Sequence, residues 1–431
     1  MKYVDSLYRA QKTKSRKFSL FLLAGVAVCI FALSWSGSVF GSDLNDLKNL
    51  RDLIPDGHYL VLFQNNSELR PSGGFIGSFA TIDVKDLQVS DIQVDTNIYK
   101  RDLAFELNNF IEVPDPLKPI VDGNSWTMRD SNWDLDFRDS AQRVSWFYQQ
   151  EGGETVDGVI ALNATVLVDF LELTGPVDFS GQAIESATAL DFLHNQIERQ
   201  YYLQEENRQN NEPKSVLREL LPALISKAKL PYNLPKLMSL VSQELREKHI
   251  QLFSFDPVIE KQILENDWAG DIKETDKDYL SINNASIGGQ KSSLNVLQDV
   301  KLDINQSGSS LAHSLLIRRT HFGDGQWPDY INKNYTRVVL PLSATKLEVK
   351  SGQQEIDFSQ EIERGKLVVG FRFDVEPASV GEVSIKYLTP SYAQYELIYQ
   401  KQSGVLTDQL EVSYLKKNLF AGKLTTDLVI R

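Results

Sequence analysis

Apolar residues follow one pattern before about residue 300 and another after it. Short apolar runs predict strands at 58–63, 75–84, 86–94, 156–162, 249–253 and 278–282. Longer segments have the apolar spacing of helices, at 140–150, 164–173, 186–202, 213–229 and 235–248. Asn163 stands where it can cap the helix at 164, whereas 100–124, with three prolines, is expected to be irregular. This succession predicts an α/β domain over 58–300, with helices packed on a mixed sheet.

After residue 300 apolar and polar residues alternate. Val369, Phe371 and Phe373 alternate with polar or small residues, and the segment 410–414 repeats the pattern. A period of two is that of a half-buried strand, and turn residues such as Gly352 separate the runs. The pattern predicts an all-β sandwich domain over 301–431.

The N-terminal residues form a third region. Residues 1–17 carry six bases and one acid, and no charge follows from 18 to 42. About 20 apolar residues cross a bilayer core, so we expect a basic cytoplasmic tail, one transmembrane helix over 18–40 and a stalk over 41–57. The predicted location is the cell membrane, single-pass, with an extracytoplasmic body. A cleaved signal peptide is the alternative, although its apolar run is usually shorter.

Charge and missing motifs exclude several functions. The net charge is −13 and the first 17 residues sum to +5, which leaves −18 on the rest. So acidic a body argues against nucleic-acid binding. Cys29 is the only cysteine, so an intrachain disulfide is impossible, and no histidine spacing suits zinc. Phosphate-loop and hydrolase-elbow motifs are absent.

Two polar clusters are the candidate sites. The first follows the strand at 58–63 and is formed by Gln64, Asn65, Asn66, Glu68, Arg70, Gly73 and Gly74. Arginine binds phosphate or carboxylate with two hydrogen bonds, and glycines let a ligand or another backbone approach closely. The alternative is an internal network in which Glu68 pairs with Arg70 or Arg129 and holds the end of the sheet.

The second cluster precedes the helix at 140 and contains Arg129, Asp130, Asn132, Asp134 and Arg138. Its oxygens alternate as in calcium loops, but Leu135 stands where an EF-hand needs glycine. One interpretation is a divalent-metal or acid–base loop in which Asp130 and Asp134 hold the ion. The other is a turn whose Asp and Asn side chains cap the following helix.

Several of these segments resemble a known bacterial family. The segments 62–77, 129–134, 156–161, 174–176, 288–291 and 399–404 are similar to an envelope family catalogued as a domain of unknown function, number 4012. The resemblance covers about residues 55–405. It implies a membrane-anchored extracytoplasmic architecture and brings no settled activity.

A more distant resemblance is to the LytR-CpsA-Psr transferases, which move a glycopolymer from a polyprenyl-pyrophosphate lipid to the cell wall. It implies that Arg70 and Arg129 clamp pyrophosphate, that Asp130 or Asp134 holds Mg²⁺, and that Glu68 is a base or orients Arg70. Arg138 and Arg199 are further candidates. The chain departs from that family at Glu198-Arg199-Gln200, where those enzymes carry a tight Arg-x-Arg.

Two functions therefore stay open. One is an envelope protein that binds or transfers a polyprenyl-linked glycopolymer, in effect a phosphotransferase. The other is a non-enzymatic scaffold or adhesin whose sandwich binds a wall polymer such as peptidoglycan, or a protein. A pocket that joins both polar clusters to an apolar cavity favours the first, and clusters that are saturated internally favour the second.

Overall fold

The computed structural model describes residues 54–431, except 87, 96, 122, 201–202, 204–219, 221–222, 225, 229–233 and 328. The predicted tail, transmembrane helix and most of the stalk lie outside these residues, as does most of the helix predicted at 213–229. In the part that is described, no helix is long and apolar enough to cross a membrane.

A five-stranded sheet organises the first half of the molecule. Its strands are β1 (Gly57–Arg70), β2 (Gly73–Lys85), β3 (Gln88–Asp95), β4 (Gly158–Asn163) and β7 (Ile250–Ser254). Their order is β3-β2-β1-β4-β7, in which only β1 and β4 are parallel. A small hairpin is formed by β5 (Val177–Phe179) and β6 (Gln182–Ile184). The predicted strands are confirmed, although β1 continues seven residues beyond the apolar run.

Helices cover both faces of this sheet. They are α1 (Ile98–Glu106), α2 (Lys118–Val121), α3 (Phe137–Gln150), α4 (Thr165–Thr174), α5 (Ala189–Asn195), α6 (Leu234–Arg246) and α7 (Pro257–Glu265). Leu60 and Leu62 of β1 face α3, while Tyr59 and Val61 face the side of α6 and α7. Because successive side chains of a strand point to opposite faces, β1 is buried on both sides.

The second half is a sandwich, as the alternating pattern predicts. One sheet has the order β13-β12-β16-β10-β9-β18-β19, and the other has the order β14-β15-β11-β8-β17-β20. The strands are β8 (Asp278–Ser286), β9 (Val296–Ser307), β10 (Ser310–His321), β11 (Asn334–Pro341), β12 (Thr345–Ser351), β13 (Gln354–Glu355), β14 (Ser359–Glu363), β15 (Lys366–Arg372), β16 (Ser379–Pro390), β17 (Leu397–Gln400), β18 (Asp408–Tyr414), β19 (Lys417–Leu424) and β20 (Leu428–Ile430). Leu302, Ile385 and Val338 lie in the shared core.

Three local expectations need correction. β8 belongs to the sandwich, so the sandwich includes chain before the boundary expected at 301; every residue of β8 is buried, which hides its alternation. The segment expected to be irregular contains α1, because Asn97 accepts a hydrogen bond from the Lys100 amide and caps the helix. Asn163 does not cap α4; its amide donates to the Lys248 carbonyl instead.

The sandwich packs against the end of the five-stranded sheet through buried polar contacts. Gln402 Nε2 donates to the carbonyl oxygens of Arg70 (3.1 Å) and Asn284 (2.7 Å), and Asn66 Nδ2 donates to the Gly404 carbonyl (2.9 Å). The polar end of β1 thus lies in the interior, where the two halves meet.

Candidate ligand-binding site

The two glycines after β1 make room for the chain itself. Gly73 has a φ of +139°, and a Cβ there would lie 2.0 Å from Gln64 Oε1. A Cβ on Gly74 would lie 2.3 Å from the carbonyl carbon of Asn65. Contacts this short are forbidden sterically, so glycine is required at both positions. Of the two interpretations of these glycines, the close approach of another part of the chain is the one that the structure shows.

Arg70 lies at the centre of a buried ionic network. Its Nη2 donates to Asp130 Oδ1 (2.7 Å) and to Glu68 Oε1 (3.1 Å), and its Nε also donates to Asp130 Oδ1. Its Nη1 donates to the carbonyl oxygens of Leu69 and Ser286. Burial lowers the pKa of Arg70, but Asp130 and Glu68 outweigh that effect and the pKa is raised. All donors of this guanidinium therefore have partners inside the protein.

Asp130 connects Arg70 to a second, partly exposed arginine. Arg129 lies 3.4 Å from Asp130 Oδ2 and 3.2 Å from Asp102 Oδ2, and its guanidinium stacks over the ring of Tyr99 at 5.3 Å. One fifth of the Arg129 side chain is exposed, whereas Arg70 is fully buried. Arg129 is thus the arginine of this network that a solute can reach.

Buried carboxyl groups flank Arg129. Burial raises the pKa of Asp102 to about 7, against the opposing effect of Arg129. Burial and the neighbouring Asp102 raise the pKa of Glu151 to about 9. Two carboxyl groups in contact hold one proton between them, because both cannot be ionised at close range. The pair therefore keeps about one negative charge near neutral pH, and Arg129 is the cation beside it.

The rest of the second cluster stabilises a turn. Asp134 accepts two hydrogen bonds from Arg143, at 2.8 and 2.9 Å, and Asp136 caps α3 and pairs with Arg138. Asn132 Nδ2 donates to the Gly74 carbonyl. The turn interpretation thus describes Asn132, Asp134 and Arg138.

The donors that are present do not fit a protein-held Mg²⁺. Asp130 and Asp134, the two predicted ligands, are engaged by different arginines. In the described ranges no group of three or more His, Cys, Asp or Glu side chains could hold a metal ion. The binding of Mg²⁺ by Asp130 or Asp134 therefore stays a prediction.

A cavity of about 630 Å³ opens beside this network. Its polar end is lined by Gln64, Asn65, Glu68, Arg70, Arg129, Asp130 and Lys291. Its apolar wall comes from three helices, with Leu167 and Phe170 of α4, Leu193 of α5, and Leu240 and Val241 of α6. The cavity thus joins both predicted clusters to an apolar interior.

Two residues that line this cavity carry buried side-chain atoms without hydrogen-bond partners in the described part of the chain. Gln64 is 2% exposed, and its side-chain oxygen and nitrogen have no hydrogen-bond partner in the described part of the chain. The same holds for Oδ1 of Asn163, which pairs with Gln64 across the parallel strands β4 and β1. Buried polar groups are normally satisfied, so these unpartnered atoms set the wall at Gln64 and Asn163 apart from the rest of the interior.

The structure sorts the predicted residues into two groups. Gln64, Asn65, Glu68, Arg70, Arg129 and Asp130 line the cavity. Asn66, Gly73, Gly74, Asn132, Asp134 and Arg138 do not and have structural roles. The side chain of Arg199 lies outside the described residues.

Sequence reasoning missed several residues of the cavity. Asn163 was expected to cap a helix, and the segment 288–291 was noted for its resemblance alone, although Gly289 and Lys291 line the polar end. The apolar wall gave no signal, because a residue that lines a cavity and one that fills a core have the same periodicity.

Comparison with known proteins supports one family. A family model described as a protein of unknown function (DUF4012) matches residues 56–197. The match supports the DUF4012 resemblance. It contains the first polar cluster, the Arg129 network and α4, so most of the polar end of the cavity belongs to the matched segment. No curated protein matches the chain.

Among solved structures, one similar chain is described as a "putative nutrient binding protein" from Legionella pneumophila subsp. pneumophila str. Philadelphia 1. The identity is 8% and the TM-score is 0.24; the alignment covers 31% of this chain and 54% of that one. The alignment thus spans about half the length of that protein. Similarity at this level carries no argument about fold or function.

Proposed function

We propose that this is a membrane-anchored, extracytoplasmic envelope protein that binds an amphipathic lipid with a phosphorylated head, of the polyprenyl-phosphate or polyprenyl-pyrophosphate glycopolymer type. One observation carries the proposal: a single cavity has arginine and amide groups at one end and a helical apolar wall at the other. Ligand pockets of 300–1,000 Å³ with a few convergent polar groups are typical of small-molecule sites.

The charges at the polar end favour an anion. Arg70, Arg129 and Lys291 line it, against the carboxylates of Glu68 and Asp130. Because Arg70 is saturated from within, its task is to position Asp130, and Arg129 is the group that contacts the phosphate. Gln64 also lines the cavity, and its amide has no hydrogen-bond partner in the described part of the chain. A phosphate here would gain charge-assisted hydrogen bonds.

Binding is better supported than catalysis. Glu68, the candidate base, already accepts a hydrogen bond from Arg70 and is 5% exposed. A base must be within reach of the proton that it removes, and the arginine competes for this carboxylate. Within the first hypothesis, this internal pairing favours a carrier that binds the lipid-linked polymer without transferring it.

The test measures binding of a fluorescent polyprenyl phosphate to the full chain in detergent. Arg129→Gln should weaken binding about tenfold or more, since it removes a charged partner of the phosphate. Arg143→Gln is the matched control, because Arg143 pairs with Asp134 and does not line the cavity. Leu167→Trp should block the apolar wall, whereas Leu173→Trp, on the same helix but outside the cavity, should not.

Absence of binding by the wild-type protein would refute the proposal. So would binding that Arg129→Gln and Leu167→Trp leave unchanged, because the ligand would then lie elsewhere. Transfer is assayed separately, as release of the labelled glycan from its lipid. Binding without transfer would support the carrier function.

A further inference from the structure

Helix α1 and the loop after it expose an apolar face. The exposed fractions are 42% for Tyr99, 61% for Leu103, 76% for Leu107 and 69% for Phe110. Tyr99, Leu103 and Leu107 are spaced four residues apart, so they follow one side of the helix. Large apolar side chains grouped on a surface mark an interaction site more often than isolated ones do.

This face is continuous with the polar end of the cavity. Tyr99 belongs to both, since it lines the cavity and is partly exposed. Its ring centroid lies 6.5 Å from that of Phe75, another lining residue, and 5.3 Å from the Arg129 guanidinium. A ligand that follows the exposed face from Leu107 to Tyr99 therefore arrives beside the phosphate-binding arginine.

The charges around this face are paired with one another. Lys118 lies 3.1 Å from Glu112 and 2.6 Å from Asp115, and Arg101 lies 2.6 Å from Asp95. The face thus offers apolar area with little net charge to attract a charged partner. Its chemistry fits the acyl-chain and interfacial region of a membrane.

The chain brings this face within reach of a bilayer. The uncharged run ends before Asp43, and β1 begins at Gly57. Residues 41–56 connect the predicted transmembrane helix to that strand, and 16 residues span at most about 58 Å. With the predicted anchor in the membrane, the first domain is therefore held close to the lipid surface.

We propose that Tyr99, Leu103, Leu107 and Phe110 form a membrane-contacting rim through which a lipid passes directly from the bilayer into the cavity. The proposal rests on the proposed function, because it supplies the route by which that ligand enters. Contact is apolar, so it should persist at high ionic strength, where contacts between exposed charges are screened.

The first test maps depth in the full chain reconstituted into phosphatidylcholine vesicles. Cys29→Ser removes the only cysteine, and single cysteines at 103, 107 and 110 carry an environment-sensitive fluorophore. Lipids brominated in their acyl chains should quench these three probes at least twofold, in low and in high salt. Ile362→Cys is the matched control, since Ile362 is 70% exposed in the sandwich and should not be quenched.

Quenching at 103, 107 and 110 no greater than at 362 would overturn the proposal. Probes that are shielded from water without bromine quenching would also overturn it, because a protein would then cover the face.

The second test separates entry from binding. Leu107→Asp should slow transfer of the labelled lipid from vesicles about tenfold and leave its affinity in detergent within twofold, because Leu107 lies outside the cavity. Ile362→Asp should change neither quantity. Unchanged transfer in Leu107→Asp would refute the rim while the proposed function stands, and absence of binding in detergent would refute the proposed function itself.

Discussion

Arg70 was predicted either to bind a ligand or to hold the end of the sheet through an internal network, and its surroundings bear on both roles. Its place among amides, an acid and two glycines identified it as part of a site, and it does line the cavity. The pairing with Glu68 was one of the predicted alternatives, but the hydrogen bonds to Asp130 and the Ser286 carbonyl could not be read from the sequence, because these partners are distant in the chain. Arg129, with fewer close partners, is the better candidate for contact with a ligand.

A buried acid on the apolar wall makes stability depend on pH. Glu244 is fully buried, and neither oxygen has a conventional hydrogen-bond donor in the described part of the chain. Burial, followed by the neighbouring Asp169, raises the pKa of Glu244 to about 9, above its ordinary value of 4.5. A pKa that is raised on folding stabilises the protein below the unfolded pKa, and that stabilisation is lost as pH rises towards the folded one.

We therefore expect the free energy of unfolding to fall between about pH 5 and pH 9. Glu244→Gln should match the wild type near pH 4 and exceed its stability near pH 6 by about 2 kcal/mol, since about 1.5 pH units above the ordinary pKa of 4.5 correspond to about 2 kcal/mol at about 1.4 kcal/mol per unit. Denaturant unfolding across this pH range measures the free energy of unfolding of both proteins. Glu411→Gln, at an exposed position, should leave the pH profile unchanged, and a variant with the wild-type profile at position 244 would contradict the expectation.

At the scale of elements, β1 and β2 depend on close backbone packing where the two strands turn. Gly74 pairs with Leu69 beside an irregularity in the register of β1, and the Asn65 backbone lies where a side chain would be. If the backbone of Gly74 or of Asn65 moved, it would disturb the pairing of β1 with β2, and this pairing positions Arg70 and Gln64.

Gly74→Ala should therefore lower the free energy of unfolding by about 3 kcal/mol, at the upper end of the usual cost of overpacking. Gly422→Ala is the control, because it lies in β19 and a Cβ there would make ordinary contacts of 3.4 Å or more. Thermal unfolding of the wild type and of both variants compares their stabilities. Equal stabilities would show that the close approach at Gly74 relaxes without cost.

Elements with a clear period could be predicted, and those shaped by tertiary contacts could not. The alternation of Val369, Phe371 and Phe373 identified a sandwich strand, and the spacing at 164–173 identified α4. Helix α1 was missed because its apolar residues, Leu103 and Leu107, face outwards and its cap is a single asparagine. Asn163 was misassigned because its partners, Lys248 and Ser403, come from later in the chain.

At the scale of the whole molecule, the two halves share one buried junction. Lys248 Nζ donates to Asp427 at 2.6 Å, and Lys401 Nζ donates to the Glu247 carbonyl at 2.9 Å. Gln402 bonds to backbone groups of Arg70 and Asn284. Separation of the halves would break these buried hydrogen bonds together, so we expect one cooperative unfolding transition.

Gln402→Leu should lower the free energy of unfolding by about 3 kcal/mol. The change leaves the Arg70 carbonyl and both backbone groups of Asn284 without this partner, and an unsatisfied buried polar group costs about 1–3 kcal/mol. Differential scanning calorimetry of the full chain in detergent should show a lower transition temperature for this variant than for the wild type. Gln306→Leu also removes three hydrogen bonds, but at an exposed site, and should have little effect. Two separate transitions in the wild-type protein would contradict a shared junction.

The meeting of Gln402 with Arg70 also has a consequence for biosynthesis. The two residues are 332 positions apart. Ribosomes add roughly 5–20 residues per second, so Gln402 is synthesised roughly 20 to 70 s after Arg70. From residue 254, where the last strand of its sheet ends, until residue 402 is made, the strand that carries the arginine has its sheet but lacks its cover. A nascent chain stalled between these residues should thus be held by chaperones or degraded by proteases, while a chain that includes the whole sandwich escapes both.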